Sequence, residues 1–403
     1  MSADSNSFRP PVFIVGSPRS GTSILTWCLG QHPNLLGLEE SNWMAPFAVD
    51  VAVAYRRGSA RGERSQLSAM GIARDRFMRD IGASINASIV GHRGAFEDRR
   101  RQQASPTEAE NHPAFKISRG QSDPKWRWVN GTPEYSFGIA GLLQLFPGAR
   151  FIHLVRHPDL VVPSMLNFDR VFGTKLAEKQ EEGYGRWLAN VRACGLAENA
   201  FGAAIVCRVF HEDLVREPDA SIRRIVKFIE EPFDAVCLEP LEKRINSSDV
   251  DAEELKREVA TDSAVIAEAR VFWKTLRETP APNEPLADAA ALLEEQFERR
   301  VAYIHDLDAE CGRIRQAHQT LQNEFEDRTQ WALRMRDEIE QKDKRIHELQ
   351  KEVTDRAKWA LDLKEEIAQK DAVIVQLRAE CAREDALKTP TTEGGSAGSS
   401  SGV

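Results

Sequence analysis

From residue 304 to residue 381 an apolar side chain returns at every seventh position but one, and a chain with that period is committed to being one long helix. Taking Ile304 as position a, the series reads Ile304, Cys311, His318, Phe325, Ala332, Ile339, Ile346, Val353, Ala360, Ile367, Ile374 and Cys381, with His318 its polar member. Position d carries Leu307, Ile314, Leu321, Met335, Leu349, Leu363 and Leu377, interrupted by Arg328, Lys342, Arg356 and Lys370. A seam held in 3.5-residue phase implies a left-handed coiled coil, and at ~1.5 Å rise per residue it would extend on the order of 115 Å. An internal repeat reinforces this: DRTQWALRMRDEIEQKD begins at Asp327 and DRAKWALDLKEEIAQKD at Asp355, and the offset 355 − 327 = 28 is four heptads. The basic residues at d lower the stability of the seam. Their long stems either lie along it with the charge turned outward, or fix its register. β-branched residues at a with leucine at d favour a parallel dimer.

Ahead of this helix the proline-dense stretch ETPAPNEP, residues 278 to 285, breaks the pattern and marks a boundary. The expected organisation is therefore a domain over residues 1–280, a linker and helix start over 281–300, a coiled coil over 301–385 and a disordered tail over 386–403, which contains TPTTEGGSAGSSSGV. A net charge of −8 gives no reason to expect a nucleic-acid partner, which requires clustered cations. The six cysteines stand singly, without metal-ligand spacing, so a reducing, cytoplasmic setting and no metal are expected. No apolar run approaches ~18 residues and the first residues carry no leader pattern, so no transmembrane segment is expected.

Within the first 280 residues, PVFIVG (11–16), RFIHLV (150–155) and AIVCRVF (204–210) read as buried strands, separated by helix-like stretches. Strands alternating with helices predict an α/β, P-loop-like three-layer domain with a central parallel sheet, whose ligands bind beyond the carboxyl ends of the strands. The polar segment 85–113, with its run Arg99 to Arg101, reads as an exposed insertion. That run is a solvated helix face or, less simply, a lid over the acceptor.

The first strand feeds the loop GSPRSGTS, residues 16 to 23, with the spacing of a nucleotide phosphate loop but with Thr22 where its lysine would stand. Backbone N–H groups opening a helix bind anionic oxygens without a lysine, and the forked guanidinium of Arg19 suits one tetrahedral anion. The missing lysine argues against phosphoryl transfer.

This loop resembles the 5′-phosphosulfate loop of the PAPS-dependent sulfotransferases, whose donor is 3′-phosphoadenylyl sulfate (PAPS). A second segment, RFIHLVRHPDLVVPSMLNF (150–168), is similar to the family's 3′-phosphate element, with Arg156 leaving a strand and Ser164 eight residues later. The resemblance extends over roughly residues 10 to 275. It implies that Ser17, Arg19, Ser20, Gly21, Thr22 and Ser23 hold the 5′ end and that Arg156 and Ser164 hold the 3′-phosphate. QHPNLLGLEES resembles the segment of tyrosylprotein sulfotransferases that carries the general base, which implies Glu40 in that role, with Arg19 as its catalytic partner. His211, where a tyrosine is usual, and Ser247 in INSSDV are implied at the nucleotide. His32 and His153 are the alternative bases, and their places at a helix end and inside an apolar strand favour structural roles.

One position departs from the family. NGTPEYS (130–136) has Gly131 where related enzymes carry a lysine, so either Arg19 and the loop amides suffice or Lys116, Lys125 or Arg127 reaches in. Trp126 and Trp128 either stack on a sugar or belong to the core, and the core is the simpler reading. The expected activity is sulfuryl transfer from PAPS to a hydroxyl-bearing acceptor, with homo-oligomers formed through the coiled coil. The tail is similar to repetitive coiled coils appended to bacterial surface-polysaccharide enzymes, which suggests a glycan acceptor. An ATP-dependent kinase and a catalytically inactive coiled-coil interaction protein are the alternatives.

Overall fold

The apolar run VFIVG forms strand β1 (Val12–Gly16), buried at all of its residues because helices cover both faces. Four further strands join it: β2 (Leu35–Leu38), β3 (Arg127–Asn130), β4 (Arg150–Val155) and β5 (Val206–Phe210). In the computed structural model, which describes residues 9–103, 123–168, 175–242 and 263–387, they form one sheet in the order β2-β3-β1-β4-β5. Every neighbouring pair is parallel. The helices that follow are α1 (Thr22–Gln31), α2 (Met44–Ser59), α3 (Arg74–Gly91), α4 (Ile139–Leu145), α5 (Pro158–Leu166), α6 (Gln180–Phe201), α7 (His211–Arg216), α8 (Pro218–Phe228), α9 (Ala264–Glu278) and α10 (Ala287–Leu387). Among the described residues no helix is long and apolar enough to cross a membrane.

The alternation along β1 divides the core into two. Val12 and Ile14 point to the side where Leu25 and Leu29 of α1 and Ile222 and Ile225 of α8 are buried. Phe13 and Val15 point to the other side, against α2, α3 and α4. There the Phe13 ring lies 5.4 Å from Trp128, 5.7 Å from Tyr135 and 5.2 Å from Phe151, a cluster of edge-on and stacked rings. The result is the three-layer α/β arrangement expected from the sequence.

Three of the five strands are those read from apolar runs. β2 and β3 are four residues each and escaped that reading. The segment from residue 85, expected to be an exposed insertion, begins instead as the last turns of α3. Asn86 there is buried and accepts the indole N–H of Trp128 at 2.7 Å, and Val90 joins the core. One turn earlier α3 crosses the end of α4 so closely that a Cβ on Gly82 would lie 1.7 Å from Leu145 O. Arg99 is exposed on a following helix, and residues 104–113 lie outside the described residues.

α9 ends at Glu278 and α10 starts at Ala287, on either side of the proline-dense stretch. The first turns of α10 belong to the globular unit, which extends to Glu310. Phe297 and Val301 are buried in the core beside α2 and α4, and Ile304 packs against the same cluster. Arg74 pairs with Glu298 at 2.5 Å, and Arg57 pairs with Asp308. Residues 311–387 continue the helix as a second unit, in which Phe325, Ile339 and Val353 of the heptad seam are exposed. The glycine- and serine-rich end read as disordered lies outside the described residues.

Candidate functional site

The loop after β1 takes its shape from two glycines. At Gly16 (φ 148°) a Cβ would lie 2.3 Å from Leu154 O, so the approach of β1 to β4 excludes any other residue. At Gly21 (φ 99°) a Cβ would meet His211 Cδ2 at 2.6 Å. Between them Arg19 is held in the left-handed region at φ 69°, a conformation that costs energy in a non-glycine residue and concentrates at functional sites. α1 starts directly after Gly21 with no side-chain cap. The positive end of its dipole and its first N–H groups are thus presented at the carboxyl edge of the sheet.

The segment expected to hold the 3′-phosphate lies against this loop. Arg156, the residue after β4, donates from Nη1 to Arg19 O at 3.2 Å, and Ser164 Oγ on α5 accepts from Arg19 Nε at 3.0 Å. The Arg19 guanidinium also sits over the Phe168 ring, 5.0 Å from its centre. Arg19, Arg156 and Ser164, read from two segments far apart in the chain, form one hydrogen-bonded group. Burial pulls both arginines below the ordinary guanidinium range, and each stays charged.

The loop fits an anion by a further observation. Ser20 Oγ and Arg156 Nε are buried without a hydrogen-bond partner among the described residues, and buried polar atoms of this kind are otherwise satisfied. His211 lies on Gly21, and burial together with the charge of Arg156 lowers it to about 4, so it is a neutral ring at physiological pH. Of the remaining loop residues, Ser17 is buried with its hydroxyl 3.3 Å from Pro18 O, Thr22 is buried with its carbonyl accepting from Thr26 Oγ1, and Ser23 is exposed. Ser247 lies outside the described residues.

Glu40 stands just past β2, on a turn clamped by the end of β3. Asn130 Nδ2 donates to Glu39 O at 2.9 Å, Ser41 N donates to Thr132 Oγ1 at 2.9 Å, and the Tyr135 hydroxyl donates to Ser41 O at 2.5 Å. The Glu40 side chain remains open to solvent on one side. Its partial enclosure and the nearby Glu134 carboxylate raise it to about 7, while Arg19 pulls it back. A carboxyl poised there exchanges a proton near neutral pH.

A short 3-10 helix, Pro133–Phe137, supports the whole site, and its role was not legible in the sequence. Ser136 Oγ accepts Gly16 N–H at 3.0 Å and lies 2.6 Å from Pro133 O, tying this turn to the base of the loop. The turn presents Glu134 toward Glu40.

The structure bears on the question raised by Gly131 at the positions it describes. A Cβ there would lie 2.1 Å from Thr26 Oγ1 and 3.0 Å from Thr22 O, so the chain passes too close to α1 for a side chain. Lys125 and Arg127 do not take the lysine's place, because both serve the opposite edge of the sheet. Lys125 Nζ, buried and lowered to about 8, donates to the carbonyls of Gly30, His32 and Leu35 at 2.9, 2.7 and 2.7 Å. Arg127, lowered by burial to about 10, donates to Ile229 O and faces Glu231 at 3.7 Å. Lys116 lies outside the described residues. Trp128 is a core residue, and Arg9 lies over the ring of Trp126, 5.9 Å from its centre.

The two histidines have structural partners. His32 Nε2 is 2.8 Å from Pro232 O, and its Nδ1 accepts from Asn34 N. His153 is fully buried in β4. Burial opposes its charge, but contact with Cys194 and with Glu198, 2.6 Å away, raises it. Glu198 is also bound by both Nε and Nη2 of Arg208, so this is an ionic brace between α6, β4 and β5.

A profile described as the sulfotransferase family matches residues 10–235. Protein-tyrosine sulfotransferase A of Caenorhabditis elegans is 24% identical over 230 residues, covering 57% of this chain and 52% of that protein. An omega-hydroxy-beta-dihydromenaquinone-9 sulfotransferase of Mycobacterium tuberculosis is 25% identical over 255 residues, covering 55% of this chain and 62% of its own length. The chain thus matches about half, or somewhat more, of each of these relatives. Among solved structures, sulfotransferase STF9 from Mycobacterium avium aligns with a TM-score of 0.37 and 20% identity, covering 69% of this chain and 79% of that one. The profile match runs from β1 past α8 and takes in both the loop and the Arg156–Ser164 element. This chain belongs to the sulfotransferase family.

Proposed function

We propose that this chain transfers a sulfuryl group from PAPS to an acceptor hydroxyl. The observation that carries the reading is the joining of the two phosphate elements: Arg19 Nε to Ser164 and Arg156 to the Arg19 carbonyl, beside the uncapped start of α1. A donor with phosphate at both ends of one adenosine needs cations and hydroxyls at two points, and ATP needs them at one. The N–H groups opening α1, Ser20, Thr22 and Arg19 would hold the 5′ end, Arg156 and Ser164 the 3′-phosphate, and the neutral ring of His211 the nucleotide face.

When bound, PAPS supplies the sulfuryl group and a phosphate oxygen that keeps the electron pair of the broken sulfur–oxygen bond. Glu40 accepts the acceptor's hydroxyl proton as the acceptor oxygen bonds to sulfur. Arg19 and the loop N–H groups stabilise the charge that gathers on the leaving oxygen, a task for fixed dipoles that need not reorganise. Arg19 carries the part that the family's lysine would share, because position 131 has no room for a side chain.

The exposed seam from Ile314 onward supports pairing of this helix with a second copy of the chain, and its β-branched a positions favour a parallel dimer. The six free cysteines agree with a reducing compartment such as the cytoplasm. Calorimetry tests the central claim. Adenosine 3′,5′-bisphosphate should bind without added metal and more tightly than magnesium-ATP. The reverse order would favour a kinase.

A further inference from the structure

Two cavities open on the 3-10 helix whose Glu134 acts on the charge of Glu40, and both are lined by Glu134 and Phe137. One, of about 370 Å³, lies between α2, α4 and the first turns of α10. Its polar groups are Asn42, Glu134, Gln296 and Arg300, above the rings of Phe137 and Phe297. The other, of about 430 Å³, lies between Pro18 of the loop and α6, where Glu182, Arg186 and Asn190 face it. Pro18 belongs to the anion loop and Asn42 is two residues beyond Glu40, so the cavities flank the point where the acceptor hydroxyl has to sit.

Their size and lining discriminate between acceptors. Each volume is near the low end of the roughly 300–1,000 Å³ typical of small-molecule sites, which suits a ring-sized unit better than a long lipid chain. An acidic peptide would meet Glu134 and Glu182 set against Arg186 and Arg300, a lining with no excess of cations to hold it. Amide and charged groups that both donate and accept, set over aromatic faces, match a neutral ring bearing several hydroxyls. Phe137 is 53% exposed and lines both cavities, placed to lie under the link between successive units.

We infer that the acceptor is a neutral oligosaccharide lying across Phe137 with one unit in each cavity, and that Gln296 and Arg300 on the first turns of α10 select it. The inference rests on the sulfuryl-transfer reading and adds an acceptor class and two specificity residues to it. The long helix therefore contributes a wall of the acceptor site as well as the apolar seam. The transferred bond is the one already described: the sugar oxygen gains sulfur, and its proton passes to Glu40.

The test uses the full-length protein, radiolabelled PAPS and three fractions of the source organism: neutral glycans, peptides and lipids. Label is expected in the glycan fraction, in material destroyed by periodate. Gln296→Ala, Arg300→Ala and Phe137→Ala, all at exposed positions, should each raise the KM for that fraction by about tenfold, the worth of one lost hydrogen bond or stacking contact, and lower kcat less. Affinity for adenosine 3′,5′-bisphosphate should not move. Label confined to peptides or lipids, or a wild-type KM in all three variants, would overturn the inference and leave sulfuryl transfer standing. Failure to bind adenosine 3′,5′-bisphosphate, or no label in any fraction, would overturn the transfer reading and this inference with it.

Discussion

Replacing Glu134 by glutamine should shift the pH dependence of this protein toward acid. Glu40 is held at about 7, against an ordinary 4.5, first by its enclosure and next by the negative charge of Glu134, with Arg19 opposing both. A base works only when ionised. With a midpoint of about 7, the active fraction is about 9% at pH 6 and about 91% at pH 8, so kcat/KM should climb about tenfold between them. Removing the Glu134 charge lowers the midpoint, yet not to that of a free glutamate, because the larger cause is burial and burial remains. The variant's rising limb should therefore lie between those of an exposed carboxylate and of the wild type, and near pH 6 it should retain more of its maximal rate than wild type does of its own. The donor's own negative charge acts in the same direction as Glu134, so with PAPS saturating the wild-type limb should lie at or above neutrality. The assay is transfer of radiolabel from saturating PAPS to acceptor held below its KM, from about pH 5 to pH 9. A limb that stays in place in Glu134→Gln, or a Glu40→Gln variant that keeps the wild-type rate, would refute the assignment of Glu40 as base.

Further outcomes follow from other contacts. Arg156→Ala and Ser164→Ala should weaken adenosine 3′,5′-bisphosphate by about tenfold or more and adenosine 5′-phosphosulfate, which lacks the 3′-phosphate and feels the change only through Arg19, by less; calorimetry reads this. Gly131→Lys should fail to accelerate transfer and should lower stability by about 1–3 kcal/mol through overpacking against Thr26, measured by urea unfolding. Lys125→Met removes the Nζ donor from the carbonyls of Gly30, His32 and Leu35, of which His32 O keeps Leu35 N–H, and should reduce stability by about 1–3 kcal/mol without moving the pH limb. The full-length chain should scatter light as a dimer and a chain ended at Glu310 as a monomer.

The parts of the fold legible in the sequence are those whose signal is local. β1, β4 and β5 are short, mainly apolar runs, and the heptads of α10 repeat from Ile304 to Cys381. β2 and β3 were not legible. LLGL is short and includes Gly37, which is there because α1 packs its own Gly30 against it, a reason found only in three dimensions. RWVN begins with a charged residue whose partner, Glu231, lies about a hundred positions away. The last turns of α3 looked polar because Asn86 is there, and its polarity is matched by the indole of Trp128. At the site, the loop and the Arg156–Ser164 element could be read because phosphate recognition ties particular residue types to short spacings. Glu134 and Ser136 could not, because their work depends on which turn lies beneath the loop. Gln296 and Arg300 were hidden for a different reason, being at the start of a helix that the heptads assign to assembly.

The close passage of residue 131 along α1 also bears on how such a chain can change over generations. Thr26 fills the space that a side chain at 131 would need, and its hydroxyl is bonded to the carbonyl of Thr22 in the first turn of the donor-facing helix. Placing a cation at that point would take at least two substitutions, the first of which alters the helix and yields no advantage alone. A chain with glycine here is held to it by its own neighbour, and the whole charge asked of that point falls on Arg19.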